Sequence, residues 1–121
     1  MNLTAGSFGA LPGDEVFPGV RRSSFSSERA TVASYVFGPG ARFPLHSHPQ
    51  EQITLIEEGE VVMTVDGAER RLVAGDWSVV APGVEHGIRA GREGARVVAI
   101  VMPRRERPDE YTVRGNARER P

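Results

Sequence analysis

The chain has 121 residues, 39% hydrophobic and 26% charged, with a formal net charge of -1, which reads as one soluble globular domain able to bury its own core. Cysteine is absent, which excludes disulfides, thiolate zinc ligands, iron–sulfur clusters and thiol nucleophiles. All fifteen basic residues are arginine, which excludes Schiff-base and pyridoxal chemistry, and the near-neutral charge points to neither nucleic acid nor an anionic membrane as partner.

Residues 1–19 contain Gly6, Gly9, Pro12, Gly13, Pro18 and Gly19 and read as an irregular N-terminal arm with room for one strand. Met1 to Ala10 have no basic residue and no apolar core, so the arm does not read as a secretory signal. No apolar run approaches the ~20 residues of a membrane span. The expected location is cytoplasmic.

Residues 20–106 form the expected globular body. Short β-branched or alternating runs, Thr31–Phe37, Ile53–Ile56, Val61–Val65, Arg70–Val73, Ser78–Val80 and Arg96–Val101, are bounded by Gly, Pro and Asp and predict strands. Asp66-Gly67 between two such runs predicts a tight hairpin. No stretch carries an apolar helical repeat. An immunoglobulin-like sandwich fits this strand count as well as a barrel does. Residues 107–121 are dense in charge, and the last eight are expected to be disordered. The arginines there hint at a polyanion partner, but Asp109, Glu110 and Glu119 are interspersed with them, and a solvated tail is the better reading.

The chain has three histidines, His46, His48 and His86. The first two lie in Phe43-Pro44-Leu45-His46-Ser47-His48-Pro49, where two prolines forbid a helix. On an extended strand residues i and i+2 share a face, so both imidazoles can converge on one metal. Gln52 falls on that face by parity and Glu51 on the other, unless a bulge near Pro49 reverses them. His86 follows a second turn, Ala81-Pro82-Gly83, from which a neighbouring strand could deliver it.

These segments resemble the two motifs of the cupins. The first cupin motif is Gly, five residues, His-x-His, three or four residues, an acid, six residues, Gly. Here Gly40, His46, His48 and Gly59 are in register and Gln52 stands at the acid's place. In the second motif Gly75, Gly83 and His86 are in register, proline is shifted to Pro82, and Ala90 replaces the asparagine. The resemblance covers roughly residues 19–106. It implies an all-β antiparallel jelly-roll β-barrel, a homodimer, and one divalent transition metal per chain (Zn, Ni, Fe, Mn or Cu) held by His46, His48, Gln52 and His86. Three neutral imidazoles and a neutral amide would leave the full charge on the metal, favouring Lewis-acid chemistry.

Within the cupins, His-x-His-Pro-x-Glu-Gln-Ile and the following Glu-Gly-Glu are similar to small bacterial proteins that include the pectin-degradation cupins, which linearise unsaturated uronic acids. That group tends to carry Asp-Val-Phe on the last strand and an arginine soon after. This chain has Ala99-Ile100-Val101, with Arg105 following. Ala99 supplies no acid or base and Val101 no aromatic ring, so uronate activity is not carried over. Thr54, Ala99, Val101 and Arg105 are the candidate substrate-pocket residues, with Arg105 suited to a carboxylate. No catalytic residue beyond the metal ligands is identified. Glu57, Glu58 and Glu60 read as solvated acids in a turn, and Trp77 as a core or dimer-interface residue. The expected function is a metal-dependent isomerase, cyclase or ring-opening enzyme on a small carbonyl or enol compound. The alternatives are a dioxygenase at the same site and a non-catalytic small-molecule-binding module.

Overall fold

The computed structural model describes residues 2–107 and 109–114. The segment expected to be disordered lies almost wholly outside them. The described residues contain a short 3-10 turn at Phe8–Ala10 and nine strands: β1 (Asp14–Phe17), β2 (Val20–Ser26), β3 (Thr31–Phe37), β4 (Arg42–Ser47), β5 (Glu51–Val65), β6 (Ala68–Val73), β7 (Trp77–Val80), β8 (His86–Met102) and β9 (Thr112–Val113). All pairings are antiparallel, and the sheet curls into a jelly-roll barrel. Among the described residues no helix is long and apolar enough to cross a membrane.

The long strands β5 and β8 organise the barrel. They pair with each other from Glu51–Met102 to Val65–His86, with register shifts at Ile56/Glu58 and Gly59/Val61. One half of the sheet runs β1-β2-β3-β8-β5-β7 and the other β9-β4-β8-β5-β6. The sequence pattern splits β5 into two runs and places Glu57, Glu58 and Glu60 in a turn. Instead the strand continues through them and bends, because the shifts absorb the change of direction. Gly59, at φ 76°, lies in this bend and pairs with Ala95. A side chain there would run into Gly94 O, so the close approach of β5 to β8 requires glycine.

Local sequence accounts for the other connections. Asp66 and Gly67 both take positive φ, 50° and 84°, and close the β5–β6 hairpin with Val65 facing Ala68, as the right-handed strand twist favours. On β3, Thr31, Ala33, Tyr35 and Phe37 are buried while Val32, Ser34 and Val36 are not, the period-2 alternation of a strand with one face on the core. The N-terminal arm supplies β1. The described part of the charged segment after Arg107 returns to the barrel as β9, paired with β4 through His46–Val113 and Ser47–Thr112.

The core is one cluster between the two halves. It includes Val16, Val20, Tyr35 and Phe37 from one side and Phe43, Val61, Met63 and Leu72 from the other. Val20 and Val61 are fully enclosed, each contributing about 1.5–3 kcal/mol by burial. Phe43 links the core to the histidines, with ring centroids 4.7 Å from Phe17, 5.7 Å from Tyr35 and 4.4 Å from His46.

Candidate metal centre

The extended course of β4 puts His46 on the inner face, and His48 follows two residues later. Opposite His46, across the β4–β8 pairing, stands His86, the first residue of β8. All three are buried. Their ring centroids lie 4.2 Å (His46–His86), 4.9 Å (His48–His86) and 5.6 Å (His46–His48) apart. One ring nitrogen from each falls within 4.8 Å of the others. This group could hold a metal ion.

Hydrogen bonds assign the tautomers. His46 Nδ1 lies 2.8 Å from Pro44 O, His48 Nδ1 3.0 Å from Gln50 O and His86 Nδ1 2.9 Å from Val84 O. A carbonyl oxygen only accepts, so each Nδ1 carries the proton and each Nε2 presents a lone pair. Gln52 Oε1 approaches His48 Nε2 at 3.0 Å and His86 Nε2 at 3.3 Å. The Gln52 amide nitrogen donates to Thr54 Oγ1 at 2.9 Å, which turns the amide oxygen toward the imidazoles. Lone pairs therefore face one another with no proton between them. Such a set is repulsive by itself and becomes attractive around a cation, and carbonyl-locked imidazoles are the usual second shell of metal sites.

Electrostatics keep the rings neutral. Burial pushes His46 well below the usual imidazole range, and the neighbouring His86 lowers it further. Burial lowers His86 to about 4 and also depresses His48. The Arg105 guanidinium adds a smaller push in the same direction on all three. Neutral imidazole is the form that binds metal.

A small cavity of about 30 Å³ adjoins His46, Gln52 and His86. Of the four sequence-derived pocket residues, Thr54, Ala99 and Arg105 line it. Val101 is buried between Thr31 and Gln52 on adjacent strands and is not part of the lining. Tyr35, Phe43 and Met63 complete the apolar wall. They were missed as site residues, although parity on β3 is enough to turn Tyr35 inward. Tyr111 was also missed, since it lies in a segment whose composition reads as solvated tail. Its ring sits 5.6 Å from His46 and 5.3 Å from Phe43, and the Arg105 guanidinium lies 5.6 Å from it. Trp77 does not join the core: it is 67% exposed on the outer face of β7, because its even neighbours Ser78 and Val80 take the inner face.

Comparison with known proteins agrees with this geometry. Residues 33–102 match the family described as Cupin domain. The chain is 34% identical over 96 residues to H2HPP isomerase of Bacillus subtilis, covering 78% of this chain and 40% of that protein. It is 32% identical over 66 residues to quercetin 2,3-dioxygenase of Bacillus subtilis (strain 168), covering 54% of this chain and 20% of that protein. The chain thus spans less than half the length of these two relatives. The solved structure of KdgF from Halomonas sp. superimposes with a TM-score of 0.76 at 27% identity, covering 84% of this chain and 97% of that one.

Proposed function

Because this chain belongs to the cupin domain family, we propose that His46, His48, Gln52 and His86 hold one divalent transition metal, and that the centre acts on a small carbonyl or enol compound. The observation that carries this reading is the convergence of Gln52 Oε1 on His48 Nε2 and His86 Nε2, acceptors at 3.0 and 3.3 Å with no proton to share, with a His46 ring nitrogen within 4.8 Å of the other two histidines. The bound metal would supply Lewis acidity, polarising a substrate oxygen. The chain's own residues do the rest. The Nδ1–carbonyl bonds orient the imidazoles, Thr54 orients Gln52, and Tyr35, Phe43, Met63 and Ala99 exclude water. Arg105, buried at the cavity, holds a carboxylate or enolate oxygen of the substrate.

Isomerisation, cyclisation or ring opening suits this site better than hydrolysis. Among the described residues the lining offers no carboxylate to activate a water, so protons move within the substrate or through solvent. Similarity to an isomerase over 78% of the chain supports the same class. Similarity to a dioxygenase over a shorter stretch keeps oxygen chemistry as the second reading. The deciding experiment has two stages. Metal content of the purified protein and of a His46→Ala, His48→Ala variant tests the centre, with about one equivalent in the first and none in the second expected. Turnover of a panel of enolisable oxo-acids under nitrogen and under air then separates the classes, since isomerisation proceeds at full rate without oxygen. Absence of turnover in both atmospheres would leave a non-catalytic binding module as the function.

We also propose that the chain works as a homodimer. Phe25, Val32, Ile100, Ile53 and Val79 are successive register partners across five strands. They form an apolar row on the outer face of the sheet, with Leu55 and Trp77 beside it.

A further inference from the structure

Taking as its basis the reading above, that a small molecule reaches the histidine centre, we propose that residues 109–114 form a strap that lifts to admit it, with Tyr111 as plug and Gln50–Glu110 as latch. The first observation is space. The cavity beside the ligands is about 30 Å³, room for about two waters and about tenfold below the roughly 300–1,000 Å³ of small-molecule pockets. With the strap down, that cavity at His46, Gln52 and His86 has no room for an organic substrate.

The second observation is where the strap lies. It runs along β4, the strand that leads through His46 to His48, pairing Val113 with His46 and Thr112 with Ser47, and Arg114 N–H donates to Leu45 O at 2.8 Å. Tyr111 packs on both His46 and Phe43. Lifting these residues would uncover His46 and Phe43, two residues that line the cavity, on the side that Tyr111 covers.

The third observation is how lightly it is held. A two-residue strand is below the length that is stable alone. The strap's ion pairs, Arg114–Glu85 at 3.4 Å and Arg107–Asp109 at 3.3 Å, are exposed and contribute little. The latch is a more buried tie. Gln50, only 2% exposed, donates from Nε2 to Glu110 Oε1 at 3.1 Å, and the Glu106 N–H donates to the same oxygen at 3.0 Å. Gln50 also accepts the Nδ1 proton of His48 through its carbonyl, so one residue grips both the strap and a metal ligand. Its Oε1 is buried without a hydrogen-bond partner, a penalty that opening relieves. Of the strap's described residues, Tyr111 alone packs against the apolar core, and segments with few such contacts open locally at low free energy.

The chain has no cysteine, so a reversible lock can be installed cleanly. Ser47 and Thr112 are register partners. Antiparallel partners sit about 4.5–5.5 Å apart at Cα, within the roughly 4.4–6.8 Å a disulfide spans. Two measurements on a Ser47→Cys, Thr112→Cys variant test the strap. In the zinc-loaded protein, the rate at which a colorimetric chelator removes zinc is expected to fall about tenfold on oxidation and recover on reduction with a phosphine, while Glu110→Ala in the otherwise unaltered chain accelerates it. In the metal-free protein, amide hydrogen exchange at residues 109–114 is expected to outpace that of β3 and β5, to quicken in Glu110→Ala, and to slow in the oxidised variant. Equal stripping rates in the oxidised and reduced protein, or strap amides that exchange as slowly as β5, would overturn the proposal. A chain that takes up no zinc at all would refute the metal reading, while the exchange measurement still decides the strap.

Discussion

The Gln52 amide nitrogen donates to Thr54 Oγ1 at 2.9 Å, and this bond leaves Gln52 Oε1 facing His48 and His86. Thr54 lines the cavity and hydrogen-bonds Gln52, so under the proposed reading it would act on a bound metal by fixing which end of the amide faces the ion. Thr54→Val keeps the buried volume and removes the acceptor. Zinc affinity is expected to fall about 10–100-fold, read by chelator competition, with Thr54→Ser restoring it. An unchanged affinity in Thr54→Val would mean that the amide is oriented by something else.

Gln52→Glu tests the neutrality of the donor set. A carboxylate there adds a negative charge against the cation at ligand distance, whereas an amide contributes only a dipole. Divalent zinc should bind more tightly by about tenfold or more. Turnover that depends on Lewis acidity should drop at the same time, because part of the charge on the metal is cancelled. Tighter binding with undiminished turnover would argue against polarisation as the working chemistry.

The pH dependence has a definite sign. His46, His48 and His86 all titrate below the usual imidazole value of about 6.5, chiefly through burial, with His86 near 4. Between these values the unfolded chain binds more protons than the folded one, so stability falls as pH drops through that window and is fully present above it. His86 alone accounts for on the order of 3 kcal/mol. Urea midpoints of the metal-free protein at pH 7.5, 6 and 4.5 check this, and a flat profile would contradict it. Zinc affinity should weaken below roughly pH 6, where protons compete for the ligand atoms.

The site was more legible than the barrel that holds it. Two prolines keep the segment leading into His46 and Ser47 extended, which is a local argument, but Gln52 reaches His48 and His86 from β5, after a break at residues 48–50, so parity along one strand is not what places it. The continuity of β5 was not legible. Glu57-Glu58-Gly59-Glu60 has the composition of a turn, and pairing with β8 on both sides of Gly59 and with β6 from Glu60 onward keeps it a strand. Tyr111 escaped notice for a related reason. Its segment has the charge density of a solvated tail, and its docking depends on groups far away in sequence, Phe43, His46 and Gln50. Tertiary partners, invisible to local pattern, decide both cases.

Gly59→Ala tests the bend. The new Cβ meets Gly94 O across the β5–β8 pairing, and φ of 76° is unfavourable for any L side chain. Gly94, next to the facing Ala95 and at φ 78°, has no room for a Cβ either, since Phe37 O lies against it. With backbone atoms on both sides of this contact, a loss of about 2–4 kcal/mol is expected from backbone strain and steric overlap together, measured by urea denaturation. A loss under ~1 kcal/mol would mean that the strands separate easily at this point.

Trp77 reports on assembly. It is the only tryptophan, and it projects 67% exposed from the outer face of β7, beside Val79 at 52% and Leu55 at 40%. Alternation gives the inner face to Ser78 and Val80, so the outer face should be polar if water covered it. A contiguous apolar face of this kind marks an interaction surface. Two copies laid face to face would bury Trp77 without any charge to desolvate at the centre, and isologous pairing of like patches is the common route to a homodimer. The protein should therefore sediment as two chains at micromolar concentration, with blue-shifted tryptophan emission that moves to the red on dilution. Trp77→Asp, Val79→Asp should sediment as one chain and keep its bound zinc, since neither residue approaches the histidines. A wild-type chain that stays monomeric with red emission at high concentration would remove the dimer and leave this face to some other partner.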